Sequence, residues 1–98
     1  MKDFERVLIE FDSHAGEIYS EFFDHFVNSV RNISRKDDEN VFKLQVGKHL
    51  TELKHRLERQ AWQFLENYSG KQRVELESSI SRKVGYYLNE FRQRCSAW

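Results

Sequence analysis

The 98-residue chain contains no proline, so no position in it forbids a continuous helix. Cysteine occurs once, which excludes an internal disulfide. No apolar run approaches the ~20 residues needed to cross a bilayer. The opening stretch MKDFERVLIEFDSHAGEIYS is acidic and amphipathic, and it lacks the basic end and apolar block of a signal peptide. A cytoplasmic location with no membrane partner is therefore the simplest expectation. Also missing are a Ser/His/Asp set, a glycine-rich phosphate loop and a nucleotide fingerprint. Nothing positive points to an enzyme or to a cofactor.

Aromatic residues are plentiful, with eight Phe, four Tyr and two Trp. They supply the burial that offsets ordering entropy, so the chain reads as a folded single domain. Net charge is zero but unevenly placed. Residues 1–30 carry seven acids against two bases, and residues 31–98 carry fourteen bases against nine acids. That division points to attraction within one bundle or between chains, since no free basic tail is present.

The apolar residues fall into three stripes at steps of three or four, the signature of helices. The first is Phe4, Leu8, Phe11, Ala15, Ile18, Phe22, Phe26, Val30 and Ile33. The second is Phe42, Val46, Leu50, Leu53, Leu57, Ala61, Phe64 and Tyr68. The third is Leu76, Ile80, Val84, Tyr87, Phe91, Cys95 and Trp98, with Leu88 beside it. Between the first two lies SRKDDEN, a turn in which Asp37 or Asp38 can cap the next helix. The second stripe stops at NYSGK, where Gly70 is placed to end a helix in a left-handed conformation. The expected fold is an all-α, antiparallel three-helix bundle, one domain over 1–98 with helices near 3–33, 39–68 and 72–97. If helix 1 breaks at all, the cluster Asp12, Ser13 and Gly16 is where it would do so.

Cys95 stands four residues from the end, in the sequence Cys95-Ser96-Ala97-Trp98. Trp does not satisfy the last position of a prenylation box. Both Cys95 and Trp98 continue the third stripe in register, so both are expected to point inward, with Trp98 closing one end of the bundle near Phe42.

Histidines are the remaining candidates for chemistry: His14, His25, His49 and His55. His49 and His55 are six apart, which puts them on opposite flanks of a helix rather than in chelating register. Folding at the first turn instead brings His25 level with His49, each with a nearby carboxylate. A metal-binding bundle through Glu21, His25, His49 and Glu52 is one alternative reading. Against it, such flanking pairs are commonly surface ion pairs. A phosphotransfer histidine would need a lysine and a glycine at an offset that HLTELKH does not supply. The basic residues of helices 2 and 3 scatter around their helices and are interleaved with acids. A nucleic-acid-binding accessory protein is therefore only a second alternative.

The main functional signal is surplus apolar surface. Tyr19, Phe23 and Val27 line up beside the first stripe at i, i+4 and i+8, making the arc wider than one core face requires. Leu44, Trp62 and Tyr86 also fall off their stripes. The expected function is a small non-enzymatic interaction or regulatory protein, a homodimer or the binder of another protein. Its interface residues are expected to be Tyr19, Phe23, Val27 and Trp62.

Overall fold

With no proline to interrupt it, each apolar stripe winds into one long helix. The computed structural model describes residues 2–33 and 37–97. It contains α1 (Lys2–Val30), α2 (Glu39–Leu65) and α3 (Gly70–Ser96). All three pairs of helices touch, which makes an all-α three-helix bundle measuring 52 × 18 × 17 Å. The register follows from ring contacts. Phe26 of α1 meets Phe42 and His49 near the start of α2, while Phe11 meets Phe64 near its end. Tyr87 of α3 bonds Asp12, and Phe91 meets Phe23 and Phe26. The helices therefore run up, down and up.

The helix ends are tighter than periodicity suggests. α1 and α2 stop at Val30 and Leu65, three residues before the expected ends. In each case the chain closes with a short-range bond, Ile33 N–H to the Val30 carbonyl and Tyr68 N–H to the Leu65 carbonyl. Asp38 occupies the N-cap position of α2, but its side chain makes no cap bond. Gly70 does adopt the left-handed conformation, with φ of 60°, yet it opens α3 instead of ending α2. α1 is unbroken at Gly16, where an added Cβ would lie 3.5 Å from the Tyr87 hydroxyl. That is an ordinary van der Waals separation, so a Cβ would be accommodated there. Part of the expected turn and Trp98 lie outside the described residues, so the expected capping of the bundle by Trp98 is not among the contacts seen.

The core contains Phe11, Phe23, Phe26, Phe42 and Phe91, together with aliphatic residues from all three helices. One expectation is corrected here. Phe23 is only 7% exposed and belongs to this core. Its ring meets Phe26 and Phe91, and the Arg94 guanidinium sits 4.0 Å above it, so Arg94 folds over the bundle instead of pointing away. Tyr19 packs on Tyr87 and Phe91, and Val27 is half-buried against the same core. The second stripe of α1 is therefore internal. α1 touches two neighbours, α2 and α3, and needs an apolar face for each.

Phe23→Ala is accordingly expected to destabilise the fold by about 3 kcal/mol or more, the usual cost of truncating a buried Phe. The check is the midpoint of urea unfolding, which should fall with little change in slope.

Candidate functional site

The histidine positions can be settled by their partners. His49 is 6% exposed, and its Nδ1 donates to the Gln45 carbonyl one turn earlier, at 2.8 Å. Its Nε2 lies 3.4 Å from Ser29 Oγ, and that hydroxyl donates to the His25 carbonyl. Folding at the first turn does bring this stretch of α1 level with His49. The side chains of Glu21, His25 and Glu52, however, stay exposed while His49 turns inward. Among the described residues no group of three or more His, Cys, Asp or Glu converges to hold a metal ion. The four residues of the metal alternative are not assembled into one site. His14 meets the Phe64 ring edge-on, and His55 is exposed where α2 borders α3.

A second polar feature ties α1 to α3. The Tyr87 hydroxyl donates to Asp12, 2.8 Å from Oδ1, and Lys83 Nζ lies 3.6 Å from the same oxygen. Burial pushes the Tyr87 phenol up to about 12, reinforced by the Asp12 hydrogen bond and charge. Among the described residues every buried side-chain nitrogen or oxygen has a hydrogen-bond partner. These internal groups are satisfied by one another, so they offer no open chemistry.

What remains open is the seam between α2 and α3, on the side away from α1. A groove of ≈ 830 Å³ runs there, floored by Ala61, Leu65, Ile80, Val84 and Leu88. Trp62 stands on its wall, 61% exposed, with the Arg73 guanidinium 5.0 Å from its ring centre. That cation–π contact favours this placement of the exposed indole on the groove wall. Glu58, Arg59 and Glu77 also line it, and Ser81 and Gly85 leave its α3 side low. Of the four expected interface residues, only Trp62 is on this open surface; Tyr19, Phe23 and Val27 lie on the α1–α3 side. The stripe that continues Trp62 along α2 was present in the spacing. Leu44, Thr51, His55 and Trp62 follow at steps of seven, four and seven, and all four are exposed. Leu44, 72% exposed, lies farther along the same stripe, separated from the groove by Lys48 and Thr51.

Cys95 is buried and free, as its place in the third stripe implies. Burial pushes its thiol up to about 12, against a smaller lowering by Arg94. Cys95 and Tyr87 both favour the neutral form in the folded state, so their stability contribution is intact below pH about 9 and is lost as pH rises through about 12. Alkaline unfolding should therefore steepen across that window, and Tyr87→Phe should flatten the part above the ordinary tyrosine value of 10.0. Stability measured by urea titration at stepped pH checks this. A thiol reagent at neutral pH should meanwhile label Cys95 only after denaturation.

Comparison with known proteins adds no relative to this geometry: no family model matches the chain, and no curated protein or solved structure matches it significantly.

Proposed function

We propose that the protein is a small, non-enzymatic interaction protein that self-associates through the α2–α3 face. The observation that carries this reading is the groove with Trp62 braced over it by Arg73. Trp62 is exposed beside the aliphatic floor of this groove, and covering both from water would contribute driving force to association. Trp and Arg are also the residue types that concentrate binding energy at the centres of interfaces. On the α1–α3 side Tyr19, Phe23 and Tyr87 are packed within the bundle, and a smaller hollow is lined by Leu8, Ser79, Arg82, Lys83 and Tyr86. A reducing, cytoplasmic setting fits a lone cysteine held as a neutral buried thiol. No helix of the described residues is long and apolar enough to cross a membrane.

Sedimentation equilibrium over a wide concentration range tests the reading. Wild-type protein should show reversible dimer formation, and Trp62→Glu should sediment as a monomer with unchanged far-ultraviolet circular dichroism. The charge would be placed where the apolar surface must lose its water. A mass that does not respond to Trp62→Glu would remove the α2–α3 face from the account.

A further inference from the structure

His49 is a titratable side chain buried at the α1–α2 seam, and its two ring nitrogens are served unequally. Nδ1 lies 2.8 Å from the Gln45 carbonyl, which can only accept, so Nδ1 carries a proton whatever the charge of the ring. In the neutral ring Nε2 is then an acceptor. Its partner across the seam is the Ser29 hydroxyl, at 3.4 Å. That hydroxyl has a single proton and gives it to the His25 carbonyl, at 2.9 Å. In the neutral state two lone pairs therefore face each other, at a separation beyond the usual hydrogen-bond range. A proton on Nε2 removes the mismatch. Nε2–H then donates to Ser29 Oγ, while Ser29 still donates to the His25 carbonyl and Nδ1–H to the Gln45 carbonyl. Each N–H of the doubly protonated ring has its own acceptor, and no helix has to move.

We propose that Ser29 and His49 form a pH-responsive clasp between α1 and α2, in which the Ser29 hydroxyl holds the protonated ring more strongly than the neutral one. Only the position of a proton changes; no ligand is involved. The proton has a way in, because Ser29 is exposed although His49 is not. The clasp also sits at a sensitive place. The His49 ring meets Phe26 edge-on, with centroids 5.8 Å apart, and Phe26 packs on Phe42 of α2 and Phe91 of α3. The clasp does not use the α2–α3 groove, so it stands independently of self-association.

The charged neighbours are few and exposed. On α1 they are Glu21 and His25, and on α2 they are Lys48, Glu52 and Arg56. α3 meets Phe26 through Phe91, and the titratable groups that follow Phe91 are Arg94, engaged over the Phe23 ring, and the buried Cys95. Among the described residues no carboxylate forms an ion pair with His49. Burial and these neighbours act on the ring whether or not Ser29 carries a hydroxyl. The clasp is therefore defined by the difference that Ser29 makes, not by the whole response of the chain to acid.

Urea unfolding of wild type and Ser29→Ala at pH 5 and pH 8, on either side of the ordinary histidine range, reads that difference. The unfolding constant of Ser29→Ala relative to wild type should be about tenfold higher at pH 5 than at pH 8, because a hydrogen bond from a charged donor is the stronger kind. Alanine's better helix propensity is the same at both pH values and drops out. In a His49→Gln background the effect of Ser29→Ala should no longer depend on pH, which separates His49 from His25, Glu21 and Glu52. If that background does not fold, the ring nitrogen resonances of His49 in wild-type protein decide instead. They should show a proton on Nδ1 alone at pH 8 and on both nitrogens of the folded chain at pH 5. An equal effect of Ser29→Ala at the two pH values would overturn the clasp, as would a folded chain whose His49 stays singly protonated at pH 5.

Discussion

Phe26 is the residue through which all three helices meet. Its fully buried ring stands against Phe42 and His49 of α2 and against Phe91 of α3, with Phe23 beside it on α1. A side chain that packs on both neighbours at once requires α1 to sit in the cleft they form. That placement decides where the remaining aromatics go. Tyr19 and Phe23 face α3, and Phe11 faces Phe64 of α2. The rings seal α1 to its neighbours, whereas the α2–α3 seam has an aliphatic floor walled by Trp62 and charged side chains and stays open as a groove.

The polar interior is consistent with that division. His49 spends its Nδ1 proton on its own helix, and Tyr87 spends its hydroxyl on Asp12. Both contacts join or brace helices; neither points into a cavity. A satisfied buried network is a rigidifying device, expensive to break and chemically quiet. We place function at the surface, where the α2–α3 face carries a groove and an exposed Trp in contact with Arg73.

Most of the fold was legible from period alone. Three stripes of Phe, Leu, Val and Ile at steps of three and four, with no proline, leave little but a helical bundle, and Cys95 fell inside because it continued the third stripe. The site was less legible, for a specific reason. A doubled stripe such as Tyr19, Phe23 and Val27 means that a helix has two apolar contacts, and period does not say whether the second lies in the same chain. The number of neighbours does, and here α3 is that second neighbour. The groove was obscured for a different reason. It is formed by residues from two helices, such as Trp62 with Arg73 or Ala61 with Leu88, whose proximity depends on antiparallel register. The signal that could have located it is the sparse outer stripe from Leu44 to Trp62, exposed all along its length and therefore unexplained by the core.

Gly85→Gln offers the most direct test, because it separates what the protomer needs from what the interface needs. The side chain enters open space in the single chain, and glutamine is a far better helix former, so the isolated protomer should gain up to about 1 kcal/mol in urea unfolding at low concentration. Gly85 lines the α2–α3 groove, so the same side chain would obstruct a second copy seated on that face. The dimerisation constant measured by sedimentation should therefore weaken by about tenfold or more. A variant that is more stable and dimerises as well as wild type would contradict the account.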